Sequence, residues 1–442
     1  MKDSSSTSAP GGAPTSARYI VLYFAVTLAI ITYVDRICIS QAAPAMQADL
    51  GLSKIEMGYA FTAFGLAYSL FEIPGGWLGD KIGPRKVLMR VVTMWSIFTV
   101  ATGWARSLWA LIVCRFLFGV GEAGCFPNLT KAFTLWFHAS ERVKAQGIMW
   151  LSARWGGAFT PLLVGWMLAG GDGKPGLGLH YKWVFLIFGA LGVVWAVAFY
   201  SWFRDHPHEH PSVNAAELAE IGHTDKVGEG HAMPWEKLLT SRTVWMLWLQ
   251  YFFMSYTWYF FVTWFPTYLK ESFPTMSEME RALLACVPLF CGGIGCIISG
   301  FVAAPFEKLF GGRSRARRIV GVAGFTVSGL MMLVSTQLLN LPVMSVFAVG
   351  IASLSSDLTL PGSWGACMEV GGRYTGALSG SMNMVGNAGG ALAPMVVPLV
   401  LAATGNNWGA NMLVFAVAYF FAAACWLFIN SDERLQDDAA HA

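Results

Sequence analysis

Residues 56–105, EMGYAFTAFGLAYSLFEIPGGWLGDKIGPRKVLMRVVTMWSIFTVATGWA, hold two long apolar runs, 56–79 and 86–105, separated by a short turn rich in glycine and charge. An α-helix rises 1.5 Å per residue, so about 20 residues cross the ~30 Å hydrocarbon core of a bilayer. The stretch therefore predicts two membrane-crossing helices joined by a turn in water. Working outward, the same alternation of apolar run and charged or Gly/Pro-rich break reaches both ends of the chain. Helices are predicted at 19–44, 56–79, 86–105, 108–136, 145–169 and 182–203, and again at 242–269, 282–304, 318–338, 342–367, 374–403 and 408–430. Residues 204–237, rich in His, Glu, Asp, Gly and Pro, interrupt the hydropathy. The chain thus divides into a tail (1–18), a six-helix bundle (19–203), a linker (204–241), a second six-helix bundle (242–430) and a second tail (431–442). The expected class is an all-α integral membrane protein with twelve transmembrane helices in two pseudo-symmetric six-helix bundles.

Composition agrees. The 442 residues are 55% hydrophobic and 12% charged, about half the charged fraction of a soluble globular protein. A net charge of +3 is too small and dispersed for nucleic acid binding. The eight cysteines fall almost entirely in apolar segments without a C-x-x-C pair, and read as packing residues, not as a disulfide or zinc framework. The first apolar run, after Arg18, is too long for a signal-peptide core and lacks a cleavage site, so it is read as the first membrane helix.

Twelve crossings place both termini on one side. Loops on that side carry Lys81, Arg85, Lys86, Arg142, Lys144, Lys308, Arg313, Arg315, Arg317, Arg318 and Arg373, against Lys54, Arg106, Lys174, Lys182, Lys270 and Arg281 opposite. The positive-inside rule makes the termini and linker cytoplasmic, in the inner membrane. Gly156-Gly157-Ala158-x-x-Pro161 in the fifth helix recurs as Gly389-Gly390-Ala391-x-x-Pro394 in the eleventh, an offset of 233 residues that also pairs Gly147 with Gly380. Parallel repeats with substrate bound between them are a known transporter plan.

Motifs sharpen the reading. The turn Gly76-x-Leu78-x-Asp80-Lys81-x-Gly83-Pro84-Arg85-Lys86 resembles the loop 2–3 signature of the major facilitator superfamily. Its glycines permit a tight turn and close helix approach, and Asp80 with Lys81 and Arg85 suits a breakable charge network that gates access. At the corresponding place in the second half, Ala304 stands where the repeat would place an aspartate. Tyr33-Val34-Asp35-Arg36, Gly121-Glu122-Ala123, Phe126-Pro127, Trp264-Phe265-Pro266 and Met382-Asn383-Met384-x-Gly386-Asn387-x-Gly389-Gly390 together resemble the anion:cation symporter family, which includes hexuronate, galactonate and glucarate transporters.

Inside the predicted spans sit Asp35, Arg36, Glu72, Arg115, Glu122, Arg154 and Asp357. Each costs roughly 2.5–3.5 kcal/mol at mid-bilayer on insertion scales, so they must face a cavity and pair with one another or with ligand. Tyr33, Arg36 and Ser40 share a helical face, as do Arg115 and Glu122, and Tyr68 lies one turn from Glu72. Under the 233 offset Arg154 corresponds to Asn387, so both are expected to look toward substrate. Three arginines, whose planar forks match carboxylates, point to an anionic substrate. Acids buried near arginines can hold or release protons, which makes Asp35 and Glu122 candidate proton carriers. The resemblance implies the same: Asp35 and Glu122 couple protons, while Tyr33, Arg36, Tyr68 and Arg115 contact substrate. Arg154, Asn383 and Asn387 complete the expected substrate set, with Glu72, Tyr259, Asp357, Ser363 and Trp364 as additional candidates.

Competing readings stand beside these. Arg115 and Glu122 also fit a structural ion pair. Family members often carry glutamine at the position of Glu72, which therefore reads either as a third titrating site or as a protonated acid that only hydrogen-bonds. Asp357, just before Pro361, serves either the site or a broken helix. Tyr256, Trp258 and Tyr259 fit the substrate path or plain packing. His206, His208 and His210 lie in a charged linker and are not read as a metal site. With no nucleophile–base pair, metal-ligand spacing or phosphate loop, a membrane enzyme or sensor is the remote alternative. The expectation is proton symport of a small organic anion, a sugar acid such as a hexuronate, aldonate or aldarate, by a monomer in the lipid bilayer without cofactor. An aromatic or other carboxylic acid is the second substrate class.

Overall fold

The computed structural model describes residues 13–168, 176–222, 235–276, 278–338 and 341–435. Its helices are α1 (Ala17–Leu50), α2 (Lys54–Ile82), α3 (Pro84–Gly103), α4 (Leu108–Glu122), α5 (Cys125–Trp136), α6 (Arg142–Leu168) and α7 (Tyr181–Trp202) in the first half. The short α8 (Ala215–Ile221) and α9 (Trp235–Thr240) lie in the linker. The second half holds α10 (Arg242–Thr263), α11 (Phe265–Ser272), α12 (Glu278–Leu309), α13 (Arg313–Gln337), α14 (Pro342–Asp357), α15 (Leu360–Gly371), α16 (Thr375–Ala403) and α17 (Trp408–Trp426).

These give twelve crossings because three expected spans are broken helices. Gly124, left-handed at φ 82°, separates α4 from α5. Pro266 and Pro361 fall in the first turns of α11 and α15, where a ring without an N–H is tolerated but cannot continue a preceding helix. Pro44, by contrast, does not end α1, which runs on to a left-handed cap at Gly51. Among the described residues, seven stretches are long and apolar enough to cross a membrane by length and composition alone, and one of them, 342–403, contains two crossings. The helices left out are α2, α3, α6 and α10, which carry cavity-facing charge, terminal Arg and Lys, or many Tyr and Trp residues.

The halves meet through α2 against α16 and α6 against α12. Glycine makes these approaches possible. Gly76 and Gly376 stand backbone to backbone, so a Cβ on either would collide with the other's carbonyl oxygen. A Cβ on Gly380 would meet the Glu72 carbonyl oxygen, and one on Gly147 the Cys296 carbonyl oxygen, so these repeat partners occupy equivalent places in the interface. The second glycine pair behaves alike: Gly156 and Gly157 pack on α1 at Ile30 and Tyr33, and Gly389 and Gly390 on α10 at Phe252 and Tyr259. Further along α2, away from the chain ends, Gly58 and Gly65 have nothing within 4 Å. The halves are therefore closed on the face bearing the termini and part toward the other.

The loop motif is the seal. Asp80 accepts hydrogen bonds from the Gly376 and Ala377 N–H groups at 3.0 and 2.7 Å, at the start of α16. Its charge partner is not Lys81 or Arg85 but Lys131 of α5, fully buried, with Nζ 3.4 Å from Asp80 and 2.9 Å from the Arg373 carbonyl oxygen. Lys81 lies over the Trp77 ring, and Arg85 donates to the Tyr200 carbonyl oxygen and stacks on its ring. In the second half, where Ala304 stands in place of the acid, Glu307 of the same helix pairs with Arg313, and Glu369 of α15 binds Arg313 and Arg317.

The first part of the linker is docked on the N-terminal half. Glu217 is fully buried and accepts from the Ala17 and Arg18 N–H groups, while Arg18 pairs with Glu220 at 2.7 Å. Asp205 accepts from the Arg85 N–H at 2.9 Å at the start of α3, beside Gly83, whose φ of 87° and lack of Cβ admit the carboxylate. Burial pushes the Asp205 carboxyl up to about 6. An acid raised above its unfolded value of 3.8 stabilises the fold below about pH 4 and loses that contribution as pH rises through 6. Asp205→Asn keeps a cap without the charge. Its melting temperature should match the wild type at pH 4 and exceed it at pH 7, by an amount equivalent to roughly 1–3 kcal/mol; a pH-independent difference would sink the assignment.

Candidate functional site

Above the seal, where the halves begin to part, a cavity is lined by Tyr33 and Arg36 of α1, Tyr68 of α2, Phe126 of α5, Trp150 and Arg154 of α6, Tyr251, Met254, Ser255, Trp258 and Tyr259 of α10, and Asn383 and Asn387 of α16. Seven of these thirteen were expected from sequence as substrate or additional candidates: Tyr33, Arg36, Tyr68, Arg154, Tyr259, Asn383 and Asn387. The cavity's charged lining is two arginines, with no acid among the lining residues.

Helical spacing aims Arg36 inward with Tyr33, one turn away. Its Nε donates to Glu122 Oε1 at 3.0 Å and its Nη2 donates to the same oxygen. The guanidinium also lies over the rings of Tyr33, Phe64 and Tyr68, the last at 4.6 Å. Glu122 is 1% exposed and its Oε2 has no partner. Asp35 points the other way round α1, into the bundle. Trp95 Nε1 donates to its Oδ2 at 3.1 Å, and Oδ1 is buried without a partner.

Arg115 does not line the cavity. It lies one layer behind, buried between Phe64 and Phe118 at 4.8 and 4.4 Å, without an ion pair, and its Nε has no partner. Its place near Asp35 and Glu122 makes it a source of field on both acids, not a wall of the pocket.

Arg154 and Asp357 form a bidentate pair across the halves, Nε to Oδ2 at 2.8 Å and Nη2 to Oδ1 at 3.0 Å, with both residues buried. Asp357 is the last residue of α14, at the break before α15. Its carboxylate fits because α12 has glycine at 292, where a Cβ would strike it. Trp258 covers the Arg154 guanidinium at 4.4 Å.

A second polar bridge crosses the halves: the Asn383 amide donates to the Tyr68 hydroxyl at 3.0 Å and to Glu72 Oε1 at 2.9 Å. Glu72 is fully buried and its Oε2 has no partner. Tyr259 donates its hydroxyl to Asn387 Oδ1 at 3.1 Å. Ser363 and Trp364 lie outside the lining: Ser363 bonds the Thr359 carbonyl oxygen, and Trp364 is buried beneath Trp150 and Tyr251. Tyr256 packs on Phe415 away from the cavity. Sequence reasoning passed over Lys131, although a lysine inside the apolar run 125–136 was visible as an intramembrane charge, and Trp95 and Trp150, which nothing in a chain of 19 tryptophans distinguishes; Phe126 was quoted in a family motif but not as a site residue.

Comparison with known proteins accords with this geometry. The probable sulfoacetate transporter SauU of Cupriavidus necator is 32% identical over 416 residues, 93% of this chain and 94% of that protein. The probable galactarate/D-glucarate transporter GudP of Bacillus subtilis is 30% identical over 445 residues, 95% and 93% of the two chains. The hexuronate transporter of Bacillus subtilis is 28% identical over 416 residues, 93% and 94%. Among solved structures, the proton:xylose symporter XylE superposes with a TM-score of 0.72 at 12% identity over 93% of this chain and 96% of that one. The fucose:proton symporter FucP of E. coli does so with 0.71 at 14%, over 94% and 100%. Residues 25–394 match the profile of the Major Facilitator Superfamily. A sequence of twelve crossings in two bundles, sealed by its loop motif and enclosing a cavity lined by two arginines, thus belongs to a transporter, not an enzyme, of the Major Facilitator Superfamily.

Proposed function

We propose that this chain is a proton-coupled symporter of an organic anion, a sugar acid of the hexuronate, aldonate or aldarate kind, working by alternating access. The single observation that carries this reading is the Arg36–Glu122 pair on the wall of the cavity, with Asp35 behind it. A proton on Glu122 removes the negative charge that neutralises Arg36, so the guanidinium draws the substrate carboxylate; loss of that proton neutralises Arg36 again and expels the anion. Asp35, bonded on one oxygen and bare on the other, holds the second proton. Tyr33, Tyr68, Asn383 and Asn387 supply partners for substrate hydroxyls, and the seal around Asp80, Lys131 and Gly376 must break for inward release. The proton is the coupling ion, no cofactor takes part, and the monomer sits in the inner membrane with termini and linker cytoplasmic. The sealed face is then the cytoplasmic one. The relatives named for galactarate, glucarate and hexuronate transport support the substrate class. The aromatic walls, Tyr33, Phe126, Trp150 and Trp258, favour a second reading in which the acid carries an apolar or aromatic body.

Arg36→Ala should weaken anion binding by at least about 30-fold while the protein stays folded and inserted, since removing one member of a buried charge pair costs roughly 2–5 kcal/mol. Full-affinity binding in a thermal-shift titration would remove Arg36 from the site. Asp35→Asn and Glu122→Gln mimic permanently protonated acids: gradient-driven accumulation in proteoliposomes should fail in both, and substrate counterflow should survive in at least one. Wild-type accumulation in both would show that other groups couple the proton. An epitope tag inserted between residues 223 and 234 should be reached by antibody only after the cells are permeabilised; labelling of intact cells would reverse the orientation.

A further inference from the structure

Arg36 and Arg154 are held in the same way. Each gives its Nε and Nη2 to a carboxylate, Glu122 for Arg36 and Asp357 for Arg154. Neither carboxylate lines the cavity, whereas both arginines do. The edge each acid occupies is therefore the one turned away from the cavity. In both arginines Nη1 has no protein partner among the described residues, and neither Nη1 is among the buried polar atoms left unsatisfied. A guanidinium has two forks, Nε with Nη2 and Nη1 with Nη2, so an acid on the first leaves the second for an incoming anion. Tyr33 stands between the helices that carry them: Arg36 lies over its ring at 5.4 Å, and Gly157, one turn beyond Arg154 on α6, abuts the same ring.

We propose that the cavity holds two anion subsites, one at the free fork of Arg36 and one at the free fork of Arg154, and that the substrate is a small dianion with an acidic group at each end. This rests on the reading of the protein as an anion transporter and goes beyond it, since that reading needs only Arg36. The argument is one of charge and geometry. Two forks open into a space without a lining acid, and a monoanion meets the N–H donors of only one of them, whereas an anion with an acidic group at each end meets both. Asp357 acts as a positioning residue: it fixes the Arg154 plane from behind, in a niche that Gly292 keeps open. Dicarboxylates and sulfonated carboxylates share the required chemistry.

The test is equilibrium binding to the purified full-length protein, using matched pairs that differ in one anionic group: galactarate against galactonate, and sulfoacetate against glycolate. The dianion of at least one pair should bind at least tenfold more tightly than its monoanion; preference for galactarate or for sulfoacetate tells a dicarboxylate from a sulfonate. Arg154→Gln should bring that ratio to within threefold, and Arg154→Lys, which keeps the charge without the fork, should fall between. A purely structural strut predicts lowered thermal stability with the ratio intact, and that result overturns the proposal. Equal affinity for both members of each pair in the wild type overturns it without recourse to any variant. Failure of all four compounds to bind would instead reject the anion-transport reading itself, and this inference with it.

Discussion

In a chain surrounded by hydrocarbon a buried charge is costly unless a counter-charge lies near, and three such pairs among the described residues organise the cavity and its closure. Water is not available to solvate Arg36, Arg154, Lys131 or the carboxylates beside them, and each ion left alone costs several kcal/mol. The chain answers with pairs: Arg36 with Glu122 inside one half, Arg154 with Asp357 between halves, Lys131 with Asp80 at the seal. Because a guanidinium or carboxylate can exchange one partner for another, pairs of this kind both hold a state together and permit its release. Two of the three involve residues on opposite halves or at their junction, so the electrostatics of the cavity and the closure of the protein are one problem.

Packing supports the charges by removing side chains, not by adding them. Gly76 against Gly376 and Gly380 against Glu72 bring backbones close enough for Asp80 to reach the N–H groups of Gly376 and Ala377. Gly292 leaves room for the carboxylate of Asp357, and Gly83 for that of Asp205. The same device recurs in both halves, with Gly147 and Gly380 at equivalent contacts, so the pseudo-symmetry extends to the interface between the bundles. Between the seal and the separated ends lies a region where polar side chains from both halves converge.

The linker adds a constraint that hydropathy alone does not reveal. Its polar composition reads as a solvated tether, but Glu217 and Asp205 are spent on backbone N–H groups at the starts of α1 and α3. The first part of the linker thus moves with the N-terminal half. His210, read in sequence as part of a histidine cluster, packs its ring against Trp136 and Trp202.

The sequence by itself determined the crossings, the halves, and the membership of most of the cavity, because apolar length, repeat spacing and the cost of intramembrane charge are local properties that survive without coordinates. Arg36 and Arg154 were legible as site candidates from the cost of intramembrane charge, Tyr33, Tyr68 and Asn387 from their spacing, and Asn383 from the family resemblance; all six line the cavity. What only the tertiary structure decided is who meets whom. Helical spacing puts Arg115 and Glu122 on one face, yet Glu122 holds the cavity's arginine while Arg115 stays behind Phe64. Asp357 and Arg154 lie 203 residues apart and on different bundles, so their pairing has no signature along the chain. Lys131 replaces Lys81 and Arg85 as partner of Asp80 because α5, restarted at Gly124, turns that lysine to the interface. Partners are chosen by the distances between helices, and those are set by glycine contacts across the halves that no single helix contains.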